Sequence, residues 1–384
     1  MMKIKNRYSF AVWVIMFFII ICPTELIFKT ERYYYVVCFA LLFAARFRSG
    51  FILKEDFSRS IMFYALYSAF TLLWSSYSSA LSILLVKVIT VAFLFIQLQC
   101  DYTVEEYGIL KRLLLIQFLF IAFLSFRFGY TAWDGRLWIV NGALQTDGNS
   151  ISAWLVLPCC CFVDEMMKKE SKTVIRVIYA ILLILLFYIT FWTGSRAGII
   201  AVVTGAVLSL LYAFRDTMRK NISFSIIVLI IGVAFVIIVY RMIPDSVIQR
   251  FNYSNVSQLG GRTVVWKKMF DDLGANPIAL LFGFGESSTI GNVGVVAHSL
   301  YIEVLYNQGL LGLLLIVYFM IRAFFRALKN DPYIAMALIG VAIVSASLSE
   351  FASRPVMLIF FFSAMNVERL SKDDHMDMES VINE

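Results

Sequence analysis

Three short segments of the chain combine residue types that could handle an anion and a proton. The first is Thr193-Gly194-Ser195-Arg196-Ala197-Gly198, where a tight turn places Arg196 at the start of an apolar helical run. A cation there opposes the helix dipole, and the placement makes sense if an anion is held by free helix N–H groups and the guanidinium fork together. An interfacial arginine snorkelling to lipid headgroups is the plainer alternative. The second segment, Gly260-Gly261-Arg262, precedes an amphipathic stretch in which Val265, Met269 and Leu273, with Trp266 and Phe270, follow i, i+4 spacing. Arg262 therefore stands at another helix N-terminus, and Asn276-Pro277 ends that helix. The third is Ala297-His298-Ser299, at the end of a long loop. An imidazole titrates near neutral pH and suits proton transfer, although a lone histidine is usually structural.

Further polar residues gather around these segments. Glu303 and Asn307 share a helix face one turn beyond His298, lining the same cavity or joining contacts between helices. Glu350 and Arg354 bracket the last outer turn, as an ion pair or, for Arg354, a substrate contact. An earlier loop holds Trp133, Asp134, Arg136, Trp138 and Asn141, then Gln145-Thr146-Asp147-Gly148-Asn149-Ser150. Aromatic faces beside amides and carboxylates can hold sugars, with Arg136 and Asn149 as the candidate contacts. Turn chemistry explains Asp147-Gly148-Asn149 equally well. Neither a metal-binding motif nor a phosphate-cradling Walker loop is present, so the energy for any reaction has to come from an activated substrate. The six cysteines, Cys22, Cys38, Cys100 and Cys159 to Cys161, sit mostly in apolar segments and have no metal or disulfide spacing.

The elements that position these residues are membrane helices. Of 384 residues, 61% are hydrophobic and 15% charged, against roughly 45–50% and about 25% in soluble domains. A spanning helix takes about 20 apolar residues, and apolar runs fall near 9–27, 33–47, 60–77, 80–98, 113–128, 151–167, 174–193, 196–214, 222–243, 299–321, 332–350 and 354–368. The fold class is an all-α integral membrane protein of about 12 spans, with both termini on one side. Most Lys and Arg fall in alternate connections, among them Arg46, Lys111, Lys168, Arg219 and Arg322, which the positive-inside rule makes cytoplasmic. The net charge of +7 is thus a topology signal, with no continuous patch for nucleic acid. The loops 129–150 and 244–298 lie outside, the second carrying short amphipathic helices; residues 1–370 form one membrane domain and 371–384 a polar cytoplasmic tail. The small residues Ala197, Ala201 and Gly205 form a stripe suited to close helix packing.

Gly194-Ser195-Arg196-Ala197-Gly198, then Gly261-Arg262 with Trp266, then His298 with Tyr301-Ile302-Glu303 and Gly309-Leu310-Leu311-Gly312, together resemble the O-antigen ligase and O-antigen polymerase superfamily of bacterial polysaccharide assembly. The resemblance covers roughly residues 190–315. It implies a GT-C-like, metal-independent, inverting glycosyltransferase without cofactor at the outer face of the cytoplasmic (inner) membrane. Its donor would be an undecaprenyl-diphosphate-linked oligosaccharide, and its surroundings membrane lipids and a polysaccharide chain-length regulator. Arg196 and Arg262 would bind the diphosphate, and His298 would be the acceptor-side base or a positioning residue. Common versions of the early loop read Asp-Pro-Asn where this chain has Asp147-Gly148-Asn149.

Polymerase and ligase differ in acceptor, a second lipid-linked repeat unit or the lipid A core, and no residue decides between them. The breadth of the polymerases favours that reading. A transporter of lipid-linked oligosaccharide is the alternative of another class, and would show paired repeats and ionisable groups near the midplane. Here Lys87 is the main mid-span charge, while the polar features gather at the outer ends.

Overall fold

The computed structural model describes residues 9–28, 31–46, 56–98, 100–132, 135–142, 144–168, 171–220, 262–348 and 354–367. The predicted span 222–243, the loop up to Gly261, Trp133, Asp134, Glu350 and the tail lie outside the described residues. Each of the other apolar runs contains a helix among its described residues. The helices are α1 (Phe10–Ile21), α2 (Glu31–Arg46), α3 (Asp56–Phe70), α4 (Ala80–Gln97), α5 (Val104–Phe128), α6 (Gly148–Met167), α7 (Thr173–Trp192) and α8 (Arg196–Lys220). After the gap come α9 (Arg262–Ala275), α10 (Pro277–Phe282), α11 (Leu300–Asn330), α12 (Pro332–Val344) and α13 (Arg354–Ala364). Among the described residues, six helices are long and apolar enough to cross a membrane, while α1, α12 and α13 are apolar but shorter. The chain is a mostly helical, multi-pass membrane protein.

Local sequence explains where these helices begin. Thr103 and Glu106 form a capping box on α5: Thr103 Oγ1 accepts from the Glu106 N–H at 3.2 Å, and Glu106 Oε2 accepts from the Thr103 N–H at 2.9 Å. Asn276 caps α10 by accepting from the Ala279 N–H, with Pro277 at the first position. That asparagine-proline pair therefore ends α9, as its sequence requires, and starts the next helix. On α9 the side chains of Met269 and Leu273 are buried, whereas Phe270 faces solvent or lipid.

The helix α6 is the centre of the bundle, with 83% of its span enclosed. It packs on α7, α8 and α12, and the small-residue stripe of α8 permits the approach: a methyl group on Gly205 would lie 2.9 Å from Cys160 Sγ. By contrast α7 leaves Val174, Ile178, Ile181, Ile184 and Tyr188 exposed along one side. Their spacing makes an apolar face that suits lipid. At one end of α6, Asp164 and Asp331 share the buried ammonium of Lys111. The residues of chemical interest lie at the other end, a helix length of roughly 30 Å away.

Two features depart from the all-α expectation or refine it. The loop after α5 is a three-stranded antiparallel sheet of β2 (Gly129–Thr131), β3 (Leu137–Asn141) and β4 (Leu144–Thr146), and a short parallel pair joins β1 (Asp101–Tyr102) to β5 (Asn366–Val367). These strands are too short to announce themselves by alternation. The long helix α11 is broken at Gly309, whose φ of 69° and ψ of −171° are not helical. The break exposes carbonyls within the bundle, and the protein satisfies them: the N–H groups of Phe284 and Gly285 donate to the carbonyls of Tyr306 and Asn307, each at 2.9 Å, and Tyr67 Oη donates to that of Gln308 at 2.9 Å. Irregular backbone at membrane depth is tolerated only with such compensation.

The mid-span charge Lys87 has a counterion that sequence did not reveal. Its Nζ lies 2.5 Å from Oε1 of Glu286, a residue of the segment between α10 and α11. Gln308 Nε2 donates to Glu286 Oε2 and to Ser68 Oγ, both at 2.9 Å.

Candidate functional site

The start of α6, the α7–α8 turn and the residue just before β3 are tied together by one asparagine. Asn149 Oδ1 accepts from Arg136 Nη2 at 3.1 Å and from Ser195 Oγ at 2.8 Å, while its Nδ2 donates to Asp147 Oδ2 at 2.8 Å. Arg136 also donates from Nε to the Thr193 carbonyl at 3.3 Å. Asp147 caps α6 by accepting from the Ser150 N–H at 3.0 Å, and Ser195 Oγ accepts from the Gly198 N–H at 3.1 Å. The turn is packed so tightly that a methyl group on Gly148 would lie 2.2 Å from the Thr193 carbonyl oxygen, and one on Gly198 would lie 2.0 Å from Ser152 Oγ. That contact explains why this chain reads Asp-Gly-Asn: a residue with a β-carbon at 148 would push the α7–α8 turn away.

Within this frame Arg196 opens α8, Arg262 opens α9 and His298 stands two residues before α11. The three belong to one electrostatic group together with Arg136 and Asp147. Burial lowers the pKa of the Arg262 guanidinium; Asp147 opposes the shift, and Arg136 and Arg196 add to it. Burial likewise lowers the pKa of His298; Arg262 adds to that shift and Asp147 opposes it. Among the described residues, no hydrogen bond or salt bridge takes up the side chains of Arg262 or His298. Guanidinium groups gathered at two helix N-termini are chemically suited to holding a multiply charged anion.

His298 is set by backbone as well as by charge. Its φ is 51°, in the left-handed region that non-glycine residues rarely occupy. The residue before it is clamped on both sides: Trp266 Nε1 donates to the Ala297 carbonyl at 2.7 Å, and the Ala297 N–H donates to Glu303 Oε2 at 2.7 Å. Strain of this kind persists where surrounding contacts over-determine it and clusters at functional sites.

The structure divides the remaining candidates. Arg136 is 8% exposed and, like Asn149, already engaged by its neighbours, so both act on the site by holding the Arg196 turn. Glu303 is buried and serves its own loop: besides the Ala297 N–H, Oε1 accepts from Thr289 Oγ1 and from Asn307 Nδ2, the latter at 3.2 Å. Arg354 opens α13, and its side chain lies outside the described residues. Asp147, Ser195 and Glu286 carry the architecture without having been singled out by sequence. Only Lys87, a lone mid-span cation needing an anion, hinted at Glu286.

A search of the curated proteins finds no match to this chain. Residues 181–317, which contain Arg196, Arg262 and His298, match the family model described as O-antigen ligase. This match supports placing the chain in the O-antigen ligase and polymerase superfamily.

Proposed function

We propose that the protein transfers a glycan from undecaprenyl diphosphate to an acceptor hydroxyl at the outer face of the bacterial cytoplasmic membrane, with both termini in the cytoplasm. The observation that carries this reading is the joint placement of Arg196 and Arg262 at two helix N-termini, where each feels the other's charge or that of Arg136 and where Arg262 also acts on His298. The donor diphosphate binds between the guanidinium groups. As the bond from the anomeric carbon to the diphosphate lengthens, they stabilise the charge that develops on the leaving oxygen. The acceptor hydroxyl attacks from the opposite side, which inverts the anomeric centre, and His298 stands on the acceptor side. The chemistry needs no metal. The acceptor is a second lipid-linked repeat unit, which makes the protein a polymerase that works with a chain-length regulator. The second reading is a ligase that delivers glycan to the lipid A core; the family match is compatible with both.

Complementation of cells deleted for this chain separates the two. Wild type, Arg196→Ala, Arg262→Ala and His298→Ala are compared at matched membrane abundance, with surface glycan resolved on a gel. A polymerase predicts loss of long chains while single capped repeats persist. A ligase predicts loss of glycan from the lipid A core with lipid-linked polymer accumulating. Full activity of all three variants contradicts glycosyl transfer at this site.

A further inference from the structure

The cationic group faces one carboxylate. Asp147 Oδ1 caps α6, while Oδ2 accepts from Asn149 Nδ2 at 2.8 Å and lies 3.9 Å from Arg136 Nη2. Its side chain is 32% exposed, and an ionised carboxylate has about four lone-pair directions, so these contacts leave it able to accept another proton donor. Among the described residues it is also the carboxylate whose charge is felt at both Arg262 and His298. A cap needs only one of the two oxygens, and the other, Oδ2, lies beside Asn149 and Arg136, which brace the turn before Arg196.

Glycosyl transfer makes two opposite demands. Negative charge grows on the leaving diphosphate, which Arg196 and Arg262 can meet, and positive charge grows at the anomeric carbon and on the attacking hydroxyl. The second demand calls for an anion, and the cationic cluster otherwise opposes it. We propose that Asp147 is a catalytic residue, the base that takes the proton of the acceptor hydroxyl; this inference rests on the glycosyl-transfer reading above. A lone pair of the hydroxyl oxygen forms the new bond to the anomeric carbon. The bond from that carbon to the diphosphate oxygen breaks and its electron pair leaves with the diphosphate. The hydroxyl proton passes to Asp147 Oδ2, and the resulting carboxylic acid returns it to water.

Asp147 suits this step better than His298. An alcohol oxygen becomes strongly acidic as it bonds to the anomeric carbon, so a weak base suffices at that moment. A carboxylate is ionised at neutral pH. An imidazole that took the proton would become a cation beside Arg262, the charge that already lowers its pKa. His298 then acts as a neutral group that orients the acceptor.

The test uses the full chain in lipid nanodiscs, with lipid-linked repeat units extracted from cells lacking this chain and lipid A core oligosaccharide added as a second acceptor. Asp147→Asn retains a capping oxygen and leaves Asn149 Oδ1 to hold Arg136 and Ser195, while its amide NH2 replaces the Oδ2 that faced Arg136. It is expected to keep its melting temperature, its affinity for undecaprenyl diphosphate and its KM within about threefold of wild type, while kcat falls on the order of 10²- to 10⁴-fold, the usual contribution of a positioned base. Asp147→Ala is expected to regain at least about tenfold in kcat with added formate, a rescue that a helix cap does not provide. Near-normal kcat in Asp147→Asn overturns the proposal. So does loss that appears in KM, affinity or melting temperature and does not respond to formate, because Asp147 is then a positioning residue. The underlying reading is tested separately: if undecaprenyl diphosphate binds Arg262→Ala as tightly as wild type, or the wild type turns over neither acceptor, that reading falls and takes this one with it.

Discussion

The ammonium of Lys87 meets the carboxylate of Glu286 at 2.5 Å inside the bundle, with the two side chains 17% and 1% exposed. Lys87 is about two turns into α4, and Glu286 belongs to the segment that runs from α10 to His298. The ion pair therefore joins a membrane helix to the element that carries the candidate imidazole. Neighbouring contacts point the same way: Ser75 Oγ donates to the Glu286 carbonyl at 2.6 Å, and Trp74 Nε1 donates to that of Gly283 at 3.1 Å.

Removing one partner of a buried ion pair strands the other and costs about 3–5 kcal/mol, whereas removing both is often close to neutral. Lys87→Met and Glu286→Gln are each expected to lower the melting temperature in detergent and to reduce membrane abundance. The double variant is expected to recover more than half of the loss. Single variants that melt with the wild type would show that the segment is held without the pair.

Gly309 is a second point on which the same segment depends. Its φ of +69° with ψ near 180° is a conformation that only glycine adopts easily. A methyl group there would lie 2.4 Å from the carbonyl carbon of Leu281 and 2.5 Å from the Gly283 nitrogen. Gly309→Ala should therefore disrupt the docking of 283–285 onto the broken helix and abolish activity, with a clear drop in melting temperature. Gly274→Ala is the control: it sits in α9 with no atom within 4 Å of the added methyl, so it should be neutral or gain about 0.5–1 kcal/mol. Equal behaviour of the two would remove the significance of the break.

The ends of helices were legible in the sequence because their signals are local. Arg196, Arg262 and His298 each follow or adjoin residues that stop or start a helix, and all three stand where that punctuation puts them. What sequence hid is tertiary. Glu286 lies among Gly283, Gly285, Ser287, Ser288 and Gly291, a composition that reads as a solvated loop, yet it is the buried partner of a residue roughly 200 positions away. Arg136 and Asn149 look like exposed sugar contacts because a turn-rich stretch carries no information on the α7–α8 turn that packs over it. The sheet of β2, β3 and β4 escapes notice for the same reason: its register, Ile139 opposite both Gly129 and Thr146, is set by pairing and not by pattern.

His298 offers a measurement independent of activity. Burial and Arg262 both favour the neutral ring, so a lower pH is needed to protonate it than the ordinary 6.5. Diethyl pyrocarbonate modifies the neutral imidazole and not the imidazolium, and the chain has one other histidine, His375, which His375→Ala removes. In that background the midpoint for modification of His298 is expected below 6.5. Arg262→Ala should raise it, because a repelling cation is gone, and Asp147→Asn should lower it, because an attracting anion is gone. A midpoint unmoved by either substitution would mean that the three side chains do not share a site.

The amide of Asn149 gives the last prediction. It offers the acceptor for Nη2 of a buried arginine and for the hydroxyl of Ser195, one residue before Arg196. Asn149→Ala leaves Arg136 with an unmet donor, a loss of about 1–3 kcal/mol, and releases the turn that aims Arg196. Because that turn serves the anion receptor, affinity for undecaprenyl diphosphate should weaken about tenfold, corresponding to about 1.4 kcal/mol. Arg136→Lys should behave similarly despite keeping the charge, since an ammonium cannot reach the Thr193 carbonyl and Asn149 in the fixed geometry of the guanidinium fork. Binding measured in nanodiscs, with melting temperature recorded alongside, separates the two contributions. If Arg136→Lys binds the lipid diphosphate as the wild type does, charge alone is what Arg136 provides, and the fork that braces the Arg196 turn is dispensable.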